Sequence, residues 1–392
     1  MKTFLNWLKS IYLFPFSVLM GNMTNFGMLT PDNIKAYQKE IRHEWLAKSF
    51  LLPRYCGEGD NSPIEKITKL KRVPGGGSEC IMTLVPNLAK DGGVGSAGGK
   101  REGMEEKMEK FNKKIQIDEM YHTIRHEGEL EDQDTVVDFR KEAKNGLTNW
   151  LSERTDDLLI LTASGIAYSY NVDGSARAED TFTKLRFASD VAAPTAKRHR
   201  RWDGTAKKLV AADTTAITDS DSPSYNMLVM AKAYARTHKM FPLQAGGKYW
   251  YIVLMQPYTL AMLKKDADYK NAVIQGGVRG DDNPFFSGGI PTIDGLILVE
   301  CDKVYNTNGA TVRWGVGSDV NGSRTLVMGA KGLGFADVSE PKWVEDEFEY
   351  KTQPGIMLSK FQGILKPSFY SSFDKSVEDS SVLCIDHYME EY

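Results

Sequence analysis

Residues 136–161 read VVDFRKEAKNGLTNWLSERTDDLLIL, and this stretch decides the fold class. Val136, Phe139, Ala143, Leu147, Trp150, Leu151 and Leu158 recur at helical spacing and form one apolar stripe. Asp134 and Thr135 offer a cap, and Asp138 stands in the first turn, where a carboxylate meets the positive end of the helix dipole. The opposite face carries Arg140, Lys141, Glu142, Lys144, Glu153 and Arg154. At 1.5 Å per residue the helix is roughly 40 Å long. A helix of that length with a single buried stripe suits a position across a sheet.

Upstream, Glu79–Pro86 (ECIMTLVP) and Lys114–Met120 (KIQIDEM) read as strands by β-branched content and alternation. Between them lies NLAKDGGVGSAGGKREGMEEKMEKFN, Gly-rich and then charged. Two strands joined by a long polar tip predict an extended hairpin arm. It has little core of its own, so it should lie on something else, such as a neighbouring subunit. Earlier still, Thr30, Pro31 and Asp32 open an amphipathic helix through Ile34, Tyr37, Ile41, Trp45 and Leu46, ended near Pro53.

Downstream, residues 165–220 are loop-rich. Helix returns over Ser222–His238, with Met227, Met230, Ala231, Tyr234 and Ala235 on its apolar face. Lys248–Met255 (KYWYIVLM) is a buried strand, and Pro257 opens a further helix. Thr292–Glu300, Thr311–Gly315, Thr325–Met328 and parts of 342–350 and 356–366 read as strands. The order is mixed α+β, without the regular βαβ alternation of a doubly wound sheet.

The whole chain, 392 residues, carries 49 Lys+Arg against 52 Asp+Glu, a net charge of −3. That balance supplies no bulk attraction to nucleic acid or to an anionic membrane. With 41% hydrophobic and 26% charged residues the composition is globular. Cys56, Cys80, Cys301 and Cys384 form no CxxC pair, so separate reduced thiols are expected and a short-spaced zinc site is not. The first 22 residues differ from the rest. Lys2 and Lys9 flank an apolar stretch with the outline of a signal peptide, but no small-x-small cleavage site follows. Pro15, Asn22, Asn25 and Gly27 interrupt it too early for a membrane span. It reads as an extension, disordered or ahead of a later start at Met20 or Met23.

Local motifs for chemistry are weak. Gly93-Val94-Gly95-Ser96-Ala97-Gly98 fits GxGxxG, but it sits in a polar loop rather than between a strand and a helix. Gly99-Lys100-Arg101 lacks the Ser/Thr of a P-loop. His122 and His126 are spaced i, i+4, yet Thr123 stands where a zincin needs Glu, and a strand would separate the rings. No GxSxG elbow occurs. No catalytic, cofactor-binding or metal-binding residue is assigned. The densest basic run, Lys197-Arg198-His199-Arg200-Arg201, suits a solvated loop, an inter-subunit salt-bridge partner or a phosphate contact.

Several stretches together resemble one family. Gly92-Gly93-Val94 with Glu102-Gly103 and Glu105-Glu106 is similar to a loop tip. Phe139–Lys144 with Leu147, Trp150-Leu151 and Arg154 is similar to a spine helix. His199-Arg200 with Asp203-Gly204-Thr205, Ala231–Arg236 and Gly247–Tyr251 with Gln256-Pro257-Tyr258 continue the order. So do Asn283–Gly288, Asp294-Gly295-Leu296, Gly329-Ala330 with Leu333-Gly334, and Gly355-Ile356. Over roughly residues 25 to 388 the chain resembles tailed-phage major capsid proteins of the Hong Kong 97 fold, in the coliphage N-four-type subfamily. It departs from the family in its first 22 residues and in Lys100-Arg101, where an acidic residue is expected.

The resemblance implies an N-terminal arm (23–61), an extended hairpin loop (62–125), a peripheral domain with the spine helix (126–165 plus 340–392) and an apical domain (166–339). It implies hexamers and pentamers of an icosahedral shell around double-stranded DNA, a virion capsid assembled in the host cytoplasm. The implied partners are scaffolding protein and portal, with no cofactor, no membrane and no enzyme activity. The residues expected to make subunit contacts are Gly92, Gly93, Gly95, Lys100, Arg101, Glu102, Glu105 and Glu106 at the tip, and Lys197, Arg198, Arg200 and Arg201 in the basic run. The alternatives are an encapsulin-like compartment and a secreted nucleotide-using enzyme.

Overall fold

The computed structural model describes residues 31–72, 78–84, 105, 110–125, 139–276, 292–349, 353–371 and 373–391. In chain order the helices are α1 (Pro31–Lys48), α2 (Leu52–Tyr55), α3 (Phe139–Ser164), α4 (Tyr225–Thr237), α5 (Pro257–Lys265) and α6 (Ala267–Gly276). The strands are β1 (Cys56–Gly57), β2 (Ile64–Ile67), β3 (Lys71–Arg72), β4 (Ser78–Leu84), β5 (Phe111–Ile115) and β6 (Asp118–Arg125). They continue with β7 (His199–Asp203), β8 (Lys208–Ala211), β9 (Leu243–Ala245), β10 (Lys248–Met255), β11 (Thr292–Ile293), β12 (Leu296–Glu300) and β13 (Gly322–Met328). The last are β14 (Leu333–Asp337), β15 (Lys342–Phe348), β16 (Gln353–Leu365), β17 (Ser368–Ser371), β18 (Ser376–Asp379) and β19 (Val382–Tyr388). The predicted strand over Thr311–Gly315 is instead turn, apart from one bridge between Trp314 and Val320. Gly315 takes a left-handed backbone there, which breaks an extended run.

Two sheets organise the chain. An eight-stranded sheet runs β11-β12-β10-β13-β19-β7-β8, with β9 on β10. A six-stranded sheet runs β1-β2-β14-β16-β15, with β6 also on β16. Strand β16 is long because it takes three partners. Residues 353–359 pair with β15, 355–362 with β6 and 362–365 with β14. Gly363 lies where these partners change. A Cβ there would collide with the carbonyl of Gln116, at the break between β5 and β6. The division expected at residue 339 is therefore crossed twice. Strand β14 belongs to the six-stranded sheet, and β19 pairs with β13 and β7 in the eight-stranded one.

Helix α3 joins the two sheets. Leu147, Leu151, Leu158 and Leu161 are fully buried, each worth roughly 1.5–3 kcal/mol of apolar burial. From Thr155 to Ser164 every residue is buried, so the predicted single stripe widens to the whole circumference. The hydroxyls permit this. Thr148, Ser152, Thr155 and Thr162 donate to carbonyls four residues back, at 2.6–2.8 Å, and need no outside partner. The predicted charged face is exposed at Lys141, Glu142 and Glu153 but covered in part. Lys144 is buried against Glu40 and Glu44 of α1, both at 2.8 Å, and Arg140 pairs with Glu345 at 2.9 Å.

The base of the hairpin arm, β4 with β5, is antiparallel from Cys80↔Ile115 to Leu84↔Phe111. Cys80, Met82, Leu84 and Ile115 face one side and pack on Ala336, Leu365 and Phe369. That base rests on its own subunit's six-stranded sheet. The remaining pair, β17 with β18, forms a two-stranded sheet joined to neither large one.

Candidate functional site

Of the residues expected at subunit contacts, Gly92, Gly93, Gly95, Lys100, Arg101, Glu102 and Glu106 lie outside the described residues; Glu105 is exposed and outside regular structure. The strand ahead of the GxGxxG is antiparallel to its hairpin partner, whereas a dinucleotide fold needs a parallel βαβ unit. His122 stacks on Trp150 of α3 with centroids 4.9 Å apart, and His126 lies outside the described residues. All four cysteines are unbridged, and burial pushes the Cys384 thiol up to about 12.

The basic run corrects the expectation of a solvated loop. Its second half is β7, which pairs parallel to β19 and antiparallel to β8. Arg198 is 1% exposed, so it is removed from the residues expected to contact a neighbour. Its guanidinium donates to the carbonyls of Asp379 and His238, each at 3.1 Å, and stands 3.9 Å from Asp374. Burying a guanidinium is tolerable only with such acceptors. Arg201 is likewise held inside the subunit, by the carbonyl of Ala216 and by Asp221 at 3.1 Å. Arg200 donates to the Tyr234 hydroxyl at 2.7 Å, and its guanidinium lies over that ring. Lys197 is partly exposed, and its backbone N–H donates to Glu378 at 3.1 Å.

Beside this run lies an ionic centre that the sequence reading missed. Asp386 of β19 is fully buried. Arg324 of β13 grips it with two bonds, 2.6 and 3.0 Å, and His199 adds a third at 2.7 Å. Burial alone would raise the carboxyl. Arg324 and His199 outweigh it and hold Asp386 at about 2. The same guanidinium donates to the carbonyl of Ser164 at 2.7 Å, the last residue of α3. A cation there satisfies an orphan carbonyl and meets the negative end of the helix dipole. One Arg–Asp pair thus ties the spine helix to the eight-stranded sheet. A lone Asp within the apolar run VLCIDHYM was the available signal.

The β17–β18 hairpin is tethered differently. Asp374 accepts from His238 Nδ1 at 2.6 Å, and Asp379 accepts from the Thr195 N–H at 3.1 Å. Lys366 stands 3.3 Å from Asp379. The charged groups of this site join elements of the subunit to one another.

Comparison with known proteins gives the family. The family model described as phage capsid protein matches residues 25–391. The major capsid protein of Pseudomonas phage KPP25 is 40% identical over 370 residues, covering 93% of this chain and 97% of that one. The capsid of Ralstonia phage GP4 superposes with a TM-score of 0.71 at 22% identity, over 88% of this chain and 92% of the other. The cyanophage Pam1 capsid asymmetric unit gives 0.66 at 15%, over 88% and 93%. These structures establish the Hong Kong 97-like capsid fold.

Proposed function

The chain belongs to the phage capsid protein family, and from that premise we propose that it is a major capsid protein whose copies form the hexamers and pentamers of an icosahedral shell around double-stranded DNA. The near end-to-end correspondence with a phage major capsid protein carries this reading. The shell is the virion capsid of a tailed phage, assembled in the host cytoplasm with a scaffolding protein and a portal. Within the arm (23–61) α1 packs on its own subunit's α3, and the base of the hairpin loop (62–125) rests on its own subunit's sheet, so it is the tip of the loop that reaches a neighbouring subunit. The work is geometric rather than chemical. Rigid sheets pinned by α3 hold the subunit's shape, while the hairpin tip absorbs the difference between five-fold and six-fold surroundings.

The test is expression of residues 1–392 and 23–392, with a scaffold supplied, followed by negative-stain electron microscopy. Shells or five- and six-membered rings are expected, and a uniform monomer overturns the reading. Gly93→Val with Gly95→Val should lower particle yield several-fold while soluble folded subunit is unchanged. Equal loss of both would remove the tip from the assembly mechanism.

A further inference from the structure

We infer that the surface at the C-terminal end of α4, with the β17–β18 turn, contacts the phosphate backbone of double-stranded DNA. This rests on the DNA-enclosing reading proposed above.

The charges there are sorted by depth. Three carboxylates, Asp374, Glu378 and Asp379, are turned inward at 2–3% side-chain exposure or less, and they are engaged by His238, Arg198, Lys366 and the N–H groups of Thr195 and Lys197. The cations point outward. Arg236, Lys239 and Lys375 are exposed, and Lys197 and Arg200 are partly so. None of these five has a carboxylate within salt-bridge distance among the described residues. The surface is therefore positive on a chain whose net charge is −3.

Aromatic rings position three of these five cations. Arg236 lies over Tyr249 at 4.3 Å, Arg200 over Tyr234 at 4.8 Å and Lys239 over Phe373 at 6.0 Å. His238 bridges the set, 4.1 Å from Tyr234 and 6.2 Å from Phe373 by ring centroids. A carboxylate partner would neutralise a cation; a ring face orients it and leaves its charge available. Unneutralised like charges repel, so they weaken the free subunit. Their arrangement makes sense if an external polyanion completes it. Phosphate contacts of this kind carry no sequence information and bind weakly, as a packaged genome requires.

The test is fluorescence anisotropy of a 30-base-pair duplex with the full chain between 50 and 200 mM salt. Each phosphate contact contributes about 0.9 to the slope of log affinity against log salt. Arg236→Glu with Lys239→Glu and Lys375→Glu should reduce that slope by about two to three. Lys207→Glu with Lys208→Glu, elsewhere on the surface, should reduce it by less than half as much. Tyr249→Leu with Phe373→Leu keeps every cation, so affinity should fall about two- to five-fold per ring with the slope unchanged. If the triple variant loses its circular dichroism, Lys239→Gln with Lys375→Gln carries the same test. An unchanged slope in that variant, or an equal drop in the control pair, overturns the inference. Shell formation by wild type is scored separately, so failure to assemble counts against the capsid reading and not against the DNA surface.

Discussion

Asp379 and Asp386 lie in consecutive strands and are both buried, yet their surroundings drive them in opposite directions. Asp386 sits inside the eight-stranded sheet with a bidentate guanidinium and an imidazole, and is held at about 2. Asp379 closes a two-stranded hairpin. Burial raises it, and the single ammonium of Lys366 with the Thr195 N–H does not cancel that effect. Burial is common to both. The number and geometry of donors decides whether a buried carboxylate is an anchor or a burden.

The largest test of this contrast is Asp386→Ala. It leaves Arg324 buried without its partner and should cost about 3–5 kcal/mol, read as a fall in unfolding free energy in denaturant. A loss under about 1 kcal/mol would mean that the contrast is false. The native pair also sets an acid limit. A depressed carboxyl contributes stability above its unfolded value near 4, and that contribution disappears as pH falls toward about 2.

Next comes the neighbouring His387, fully buried, with Nε2 on Thr325 at 2.8 Å and Nδ1 on the Tyr388 carbonyl at 2.8 Å. Burial pushes it down from 6.5 to about 4, against the opposing pull of the Tyr388 carbonyl and Asp386. The unfolded chain therefore takes the proton first, and stability falls as pH drops from about 6.5 to about 4, by roughly 3 kcal/mol. His387→Gln should flatten stability across that window while the loss below pH 4 remains. Denaturation midpoints at neutral pH and at several points down to pH 4 measure it, and an unchanged slope would reassign the effect to another group.

The smallest effect is expected at the hairpin. Asp379→Asn with Lys366→Met removes a single ion pair, keeps an oxygen for the Thr195 N–H and should change stability by less than about 1 kcal/mol in either direction. A loss comparable to that of Asp386→Ala would make the two sites alike and remove the basis of the contrast.

Much of the architecture was legible in the sequence because its signals are local. The stripe from Ala143 to Leu158, Pro31 and Pro257 at helix starts, and the apolar run of β10 each act within a few residues. The order of motifs was also enough to point to the capsid family. The basic run was misread for a physical reason. Five basic residues in a row look solvated until acceptors are known, and the acceptors of Arg198 lie in segments far along the chain. The ionic centre was missed for the same reason, since neither Arg324 nor Asp386 has a local partner.

By itself, then, the sequence determined the first helix, the long spine helix, α4, the strand β10 and the hairpin base, because periodicity, caps and turn residues are properties of neighbouring positions. Only the tertiary structure decided that β19 enters the eight-stranded sheet between β13 and β7, that β16 serves three partners, and that Arg324 holds Asp386 and the end of α3 together. Those choices depend on contacts such as Cys384 with His199, made between residues far apart in sequence. No local pattern encodes such a pairing; it becomes favourable only when both sheets close over one core and bring each buried charge its partners.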